Sequence, residues 1–272
     1  MKVLKTIEEL QEVRKNVKGT VGFVPTMGAL HEGHISLIKK ARSENDTLFV
    51  SIFLNPTQFL PGEDLDNYPK KDKADMKICE MCKVDYLFMP EAKTIYSEDE
   101  ILVKAPNRSY VLEGKARPGH FDGVLQVVLK LFGLTQPTNA YFGKKDAQQL
   151  TLIQQMVENF FLPINIVPCD IVREHDGLAK SSRNVYLDDT QRKDALLISK
   201  SLYKAASMVA KKEDDVKIIR KKMLEIMEPL DVEYIAFVDR KFNQIEKIQL
   251  KNTIILVVAR FGKTRLLDNI WL

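Results

Sequence analysis

Two histidines three residues apart, His31 and His34, stand in the run Pro25-Thr26-Met27-Gly28-Ala29-Leu30-His31-Glu32-Gly33-His34, directly after the strand-like Val21-Gly22-Phe23-Val24. Side chains at i and i+3 share one face of a helix. A helix N-terminus also presents unpaired N–H groups and a partial positive charge, which together attract phosphate. Gly28 and Gly33 remove side chains from that approach. Three chemistries fit such a pair: capping and packing of a helix start, metal ligation, and hydrogen bonding to phosphate oxygens that gain charge in a transition state. The zinc-protease signature needs its histidines four apart around a glutamate, so metal ligation is the weakest of the three. The spacing leaves the other two open and does not specify a nucleotide.

Four further segments carry groups with chemistry. Asn55-Pro56-Thr57-Gln58-Phe59 follows a second strand-like run, and the Gln58 amide both donates and accepts, which suits hydroxyl or carboxylate recognition. Gly143-Lys144-Lys145-Asp146-Ala147-Gln148-Gln149 joins a strand to a helix. Either lysine can bring an ammonium to phosphates at the new helix start, although Asp146 and Gln149 also have capping-box spacing. Lys180-Ser181-Ser182-Arg183-Asn184 sets two hydroxyls beside cations, as a phosphate clamp does. A Gly-x-Ser-x-Gly elbow is absent, which argues against serine-hydrolase chemistry, and no Walker A or Gly-x-Gly-x-x-Gly loop is present. Arg117-Pro118-Gly119-His120-Phe121-Asp122-Gly123 precedes another helix and supplies either a cation to the site or an ordinary loop arginine and packed histidine. The fourth of the four histidines, His175, lies a few residues before the Ser-Ser-Arg run.

The elements that must position these groups alternate. Strand-like Val21–Val24, Thr47–Leu54, Val84–Met89, Ala140–Phe142 and Ile164–Val172 are separated by amphipathic helical patterns, the rhythm of a parallel α/β sheet. Open sheets of that class bind ligands at the carboxyl ends of their strands, where these segments fall. Ile35, Ile38 and Ala41 mark one face of the helix opened by the histidines. Thr6 and Glu9 have capping-box spacing ahead of Leu10, Val13 and Val17. Asp122 reads as the start and Gly133 as the stop of a helix carrying Val124, Val127, Val128 and Leu131, and another helix starts near Asp146. After about Val172 come two lysine-rich helices, roughly 190–211 and 214–227, then strand-like Tyr234–Val238, Thr253–Arg260 and Arg265–Ile270. The expected division is 1–172, a Rossmann-like parallel-sheet domain, and 173–272, a smaller α+β domain. The loop from Phe59 to Pro69 is either a lid over the site or a plain solvated connection.

Composition bounds the rest. With 272 residues and 45% apolar content the chain can build real cores. Its 41 Lys and Arg against 37 acidic residues give a net charge of +4, too mild to indicate nucleic-acid binding though suited to an anionic ligand. The longest apolar run, Ile254 to Ala259, is far short of the ~20 residues that span a bilayer. Neither a signal peptide nor a membrane partner is expected, and the default compartment is cytoplasmic. Three cysteines, an odd number, argue against a disulfide framework. Cys79 and Cys82 have redox or zinc spacing but share an apolar helical face and lack a second pair, so they read as buried small hydrophobes.

Taken in order, Pro-Thr-Met-Gly-Ala-Leu-His-Glu-Gly-His, Asn-Pro-Thr-Gln-Phe, Arg-Pro-Gly-His-Phe-Asp-Gly-Val, Phe-Gly-Lys-Lys-Asp-Ala-Gln-Gln and Ser-Ser-Arg-Asn resemble the pantothenate synthetase (pantoate–β-alanine ligase) family. The likeness runs from about Val21 to Leu187, and more loosely through Arg265-Leu266-Leu267-Asp268-Asn269. The resemblance implies a Rossmann-like nucleotidyltransferase domain with a small C-terminal domain covering the site, a homodimer, and condensation of pantoate with β-alanine driven by cleavage of ATP to AMP and pyrophosphate with Mg²⁺, through a pantoyl adenylate, on the route to coenzyme A. It further implies that Met27, Gly28, Ala29, Leu30, His31, Glu32, Gly33 and His34 line the ATP site, with His34 as proton donor and His31 its partner on the phosphates. Gln58 and Gln149 would hold pantoate, with Phe59 and Val124 as the apolar wall. Gly143, Lys144, Lys145 and Asp146 would contact ATP, Lys145 offsetting phosphate charge, while Lys180, Ser181, Ser182 and Arg183 would close over the phosphates and Val172 would touch the adenine end. The resemblance names no Mg²⁺ ligand in this sequence. Lys144 stands where the family commonly has Glu, and Lys180 where it commonly has an apolar residue such as Met. The rivals are a nucleotidyltransferase that transfers AMP or CMP and stops, and a nucleic-acid-binding module built on the basic C-terminal helices.

Overall fold

The computed structural model describes every residue except Pro61, Asp64 and Asn67. The lid expectation for residues 59–69 falls partly on those three and to that extent lies outside the described residues. The chain forms two compact units, Met1–Asp170 and Ile171–Leu272.

In the first unit the elements run β1 (Lys2–Leu4), α1 (Ile7–Asn16), β2 (Val21–Thr26), α2 (Glu32–Glu44), β3 (Thr47–Ile52), α3 (Asp72–Met81), β4 (Tyr86–Phe88), the single turns α4 (Ala92–Ile95) and α5 (Glu113–Ala116), α6 (His120–Thr135), β5 (Asn139–Gly143), α7 (Ala147–Asn159) and β6 (Asn165–Cys169). The six strands pair in the order β1-β4-β3-β2-β5-β6, every pair parallel. Helices cover a parallel sheet, so its central strands are apolar over most of their length. Phe23, Val24, Leu48, Phe49 and Val50 are all fully buried. Ile38 and Ala41 bring α2 into that core beside Leu87 and Tyr141. The predicted capping box of α1 forms: Glu9 N donates to Thr6 Oγ1 at 3.2 Å and Thr6 N to Glu9 Oε2 at 3.1 Å.

The sheet order explains where a site can lie. From β2 the chain winds outward through β3 and β4, then returns to place β5 on the other side of β2. The loops leaving β2 and β5 therefore diverge at their carboxyl ends and open a crevice at the switch point. The His31 and Lys145 segments are those two loops.

Several expected boundaries move. α6 begins at His120, and Asp122 does not cap it; its Oδ1 accepts instead from Ala105 N at 2.7 Å. Gly133 lies inside α6, where an added side chain would meet open space, and the helix stops at Gln136 in a left-handed conformation. The Asp146–Gln149 capping box does not form, because residues 144–146 make a tight 3₁₀ turn and Asp146 has no cap bond. Strand β6 ends at Cys169, not Val172. The three-residue edge strand β1 is absent from the sequence pattern because it is too short to show a period. Cys79, Cys82 and Cys169 are buried free thiols, and burial pushes the Cys79 thiol up to about 12.

The second unit holds α8 (Asp189–Asp194), α9 (Leu196–Ala210), α10 (Val216–Ile226), β7 (Asp231–Asp239), β8 (Thr253–Phe261) and β9 (Thr264–Trp271). The expected single helix over 190–211 is two, divided at Ala195. The strands form an antiparallel meander. Leu202, Ile219, Met223, Phe237 and Val257 are among the buried side chains of one core cluster.

Candidate active site

Backbone geometry shapes the corner after β2. Gly28 and Ala29 both take positive φ, +88° and +51°, so the chain turns sharply and their region of backbone is tied from outside. Asp75 of α3, 1% exposed, accepts Ala29 N at 2.8 Å and Leu30 N at 2.9 Å. Two charge-assisted bonds to a buried carboxylate are strong constraints. Sequence reasoning misses Asp75, since among Lys71-Asp72-Lys73-Ala74-Asp75 it reads as part of a solvated first helical turn.

The histidines themselves cap α2. His31 Nδ1 accepts Gly33 N at 3.1 Å, and His34 Nδ1 accepts His31 N at 3.3 Å. An Nδ1 that accepts carries no proton, so both neutral rings hold their proton on Nε2, across the ring from the helix. The ring centroids lie 4.2 Å apart. Gly33 is required by that arrangement: a Cβ there would sit 2.7 Å from His31 Cε1. Burial drives the His34 pKa down to about 3, with the neighbouring His31 and Lys145 adding to the effect. His34 is therefore a neutral hydrogen-bond donor at physiological pH.

Lys145, after β5, is close enough to His34 to repel its protonated form. The adjacent Lys144 pairs with Asp170 at 2.5 Å. That Asp170 side chain is 89% exposed, so the pair contributes little. Gln148 is committed to structure, accepting from Glu113 N at 3.1 Å and donating to Val111 O at 3.0 Å. Gln149, one residue on, is half-buried. Gln58, in a 3₁₀ turn after β3, is 8% exposed. Its amide donates to Met27 Sδ and accepts from Asn55 Nδ2 at 3.2 Å. Met27 to His34, Gln58 and Lys145 thus belong to one end of one sheet. Arg117 and His120 pack against the Gln58 main chain, and Val124 is buried on the same helix as His120.

In the second unit, a hairpin gathers the remaining predicted residues. Lys180 N donates to Val172 O at 2.9 Å, so Val172 and the Lys180–Arg183 segment are neighbours. Ser181 Oγ accepts Arg183 N at 3.3 Å and opens the turn Ser182–Tyr186. Asn184 secures the segment by donating to Glu174 Oε1 and Ala179 O, both at 3.1 Å. Arg173, beside Val172, forms a two-pronged pair with buried Asp268 at 2.6 and 3.0 Å. His175 is exposed in the hairpin turn.

Among the described residues no three His, Cys, Asp or Glu side chains converge as a metal-binding group. No helix among them is long and apolar enough to cross a membrane.

A family model described as Pantoate-beta-alanine ligase matches residues 2–271. The chain is 75% identical over 272 residues to the pantothenate synthetase of Aliarcobacter butzleri, covering all of both chains, and 59% identical to that of Campylobacter hominis, again over the full length of both. Among solved structures, the pantothenate synthetase of Thermus thermophilus superposes with a TM-score of 0.93 at 37% identity, covering 99% of each chain. The pantoate-beta-alanine ligase of Francisella tularensis complexed with beta-gamma ATP and beta-alanine superposes with a TM-score of 0.82 at 38% identity, covering 100% of this chain and 97% of that one. Fold, length and sequence agree throughout, and the chain belongs to the pantoate-beta-alanine ligase family.

Proposed function

We propose that this ligase joins pantoate to β-alanine in two steps at the crevice between β2 and β5. The pantoate carboxylate attacks the α-phosphorus of ATP, giving pantoyl adenylate and pyrophosphate. The β-alanine amine then attacks the acyl carbon, the amide forms, a proton is lost from nitrogen, and AMP leaves. The observation that carries this reading is the capped histidine pair: two Nε2–H donors at the N-terminus of α2, with Lys145 facing them from the loop after β5. Preorganised donors and a cation aimed at phosphate oxygens stabilise charge as it develops, and neither step needs a covalent protein nucleophile. The ATP- and β-alanine-bound Francisella relative supports the same pair of substrates here.

In this reading Met27 to His34 line the nucleotide phosphates, and Gly143 to Asp146 contact ATP, with Lys145 the compensating cation. Val172, Lys180, Ser181, Ser182 and Arg183 supply further nucleotide contacts as the role of the C-terminal unit. Gln58 and Gln149 hold pantoate, because amides discriminate a hydroxy acid by hydrogen bonding at less desolvation cost than buried charges. His34 donates a hydrogen bond rather than a proton in the free enzyme. Mg²⁺ bound with ATP would supply neutralisation of phosphate charge beside Lys145. The product is a precursor of coenzyme A, and the protein works as a cytoplasmic homodimer.

The test uses ATP, Mg²⁺ and pantoate carrying ¹⁸O in its carboxylate, with and without β-alanine. Pantothenate forming together with AMP that has gained one ¹⁸O supports the two-step route. Unlabelled AMP refutes the adenylate, and AMP transfer that ignores β-alanine favours a nucleotidyltransferase that stops after the first step.

A further inference from the structure

The Arg117-Pro118-Gly119-His120-Phe121-Asp122-Gly123 segment is not explained by phosphate binding, because its polar groups are turned onto the main chain of Gln58. The Gln58 carbonyl accepts from His120 Nδ1 at 2.7 Å and from Arg117 Nη2 at 3.3 Å, which uses both of its lone pairs. His120 Nε2 lies 3.1 Å from Arg117 Nη1. A carbonyl only accepts and a guanidinium only donates, so His120 must be the neutral Nδ1–H tautomer with Nε2 accepting. Arg117 is itself oriented by Glu63, through Nε to Oε1 and Nη2 to Oε2, both 2.6 Å. Glu63 Oε2 also accepts from Leu60 N at 3.1 Å, so the same carboxylate ties down the chain just beyond Gln58. One turn along α6, Gly123 lets the two segments touch: a Cβ would fall 2.3 Å from Thr57 O and 2.7 Å from Gln58 N. Gly123 O in turn accepts from Asn55 Nδ2 at 3.1 Å, the amide whose other partner is the Gln58 side chain.

We propose that Arg117, His120 and Gly123, braced by Glu63, are positioning residues that set the depth and direction of Gln58 and thereby the affinity for pantoate. None of them bonds the Gln58 side-chain amide directly; Gly123 reaches it through Asn55. Altering them displaces a correct recognition group without deleting it. The proposal rests on the reading of Gln58 as a pantoate ligand, and its test separates the two.

The experiment measures KM for pantoate, ATP and β-alanine, kcat, and calorimetric pantoate binding, for His120→Phe, His120→Asn, Arg117→Lys and Gln58→Leu. Asparagine retains a donor near the Nδ1 position; phenylalanine fills the volume and donates nothing. We expect His120→Phe and Arg117→Lys to raise KM and Kd for pantoate about tenfold, the ratio that one lost hydrogen bond commonly produces. ATP KM should move less than about twofold, and His120→Asn should recover most of the loss. Arg117 is about one-fifth exposed, so its variant keeps the test open if His120→Phe does not fold. Equal shifts in pantoate and ATP KM, or no shift in folded variants while Gln58→Leu weakens pantoate, overturn the positioning role alone. Pantoate affinity unchanged in Gln58→Leu overturns the Gln58 reading and the positioning role with it.

Discussion

Replacing His34 by glutamine, asparagine and alanine separates its two nitrogens. Glutamine carries an amide N–H about as far from the backbone as imidazole Nε2; asparagine reaches only to the Nδ1 position. In the structure Nδ1 accepts His31 N at 3.3 Å, a long bond whose loss should cost no more than about 1 kcal/mol of stability. Nε2–H is the group assigned to developing phosphate charge, and deleting such a donor typically raises the barrier by about 3–4 kcal/mol, or 10²–10³ in kcat. The expected order of turnover is therefore wild type, then His34→Gln, then His34→Asn close to His34→Ala. The two lower variants should fall by about two to three orders of magnitude, with thermal midpoints within a few degrees of one another. The assay is pyrophosphate release under saturating ATP and pantoate, with circular dichroism to confirm folding. Because burial holds the free-enzyme pKa at about 3, kcat/KM for ATP should show no limb near 6.5 that vanishes on mutation. His34→Gln as inactive as His34→Asn, or a limb near 6.5 removed by either, would refute the neutral-donor assignment and restore His34 as a proton donor.

Lys145→Met should cost at least about tenfold in kcat/KM for ATP, whereas Lys144→Met, at a lysine whose ammonium pairs with the exposed Asp170, should change it less than about twofold; initial rates at varied ATP decide. Asp75→Asn puts an amide NH₂ against one of two buried N–H groups and should lower stability by about 1–3 kcal/mol, read as a denaturant midpoint. Burial, then Arg117, lowers the His120 pKa to about 4 from an unfolded value of 6.5. Between those values the unfolded chain binds the extra proton, so stability falls as pH falls, at up to about 1.4 kcal/mol per pH unit. His120→Asn should flatten the stability–pH slope from pH 6.5 to 4 by that amount; an unchanged slope places the titration elsewhere.

The parallel sheet is legible because strands covered on both faces carry unbroken apolar runs, and residues 48–50 and 140–142 show this in the middle of Thr47–Ile52 and Asn139–Gly143. Boundaries set by distant partners are not. Asp122 looks like a helix cap in its own neighbourhood but bonds to Ala105, 17 residues back. Asp75 looks solvated because its partners, Ala29 and Leu30, are 46 and 45 residues away. Nor does spacing tell Lys144 from Lys145. That difference lies in their partners across the 3₁₀ turn at 144–146, Asp170 for Lys144 and His34 for Lys145.

The two meanings that spacing leaves open for His31 and His34, helix capping and phosphate binding, are alternatives only while each imidazole is treated as one group. Each ring has two nitrogens on opposite sides. In this fold the cap consumes Nδ1, and by accepting a backbone N–H it forces the proton onto Nε2. Capping is therefore the cause of the donor, since without it the tautomer would be unconstrained and half the orientations would present a lone pair to an anion. The glycine between the histidines follows from the same requirement, because a Cβ at Gly33 would displace the His31 ring from the backbone N–H that it caps. On this reasoning Gly33→Ala should impair turnover by displacing the His31 ring without deleting any proposed phosphate-binding side chain, an effect that ¹⁵N spectra would show as a changed His31 tautomer ratio. A Gly33→Ala enzyme with full turnover and an unchanged Nε2–H signal would break the link between cap and donor.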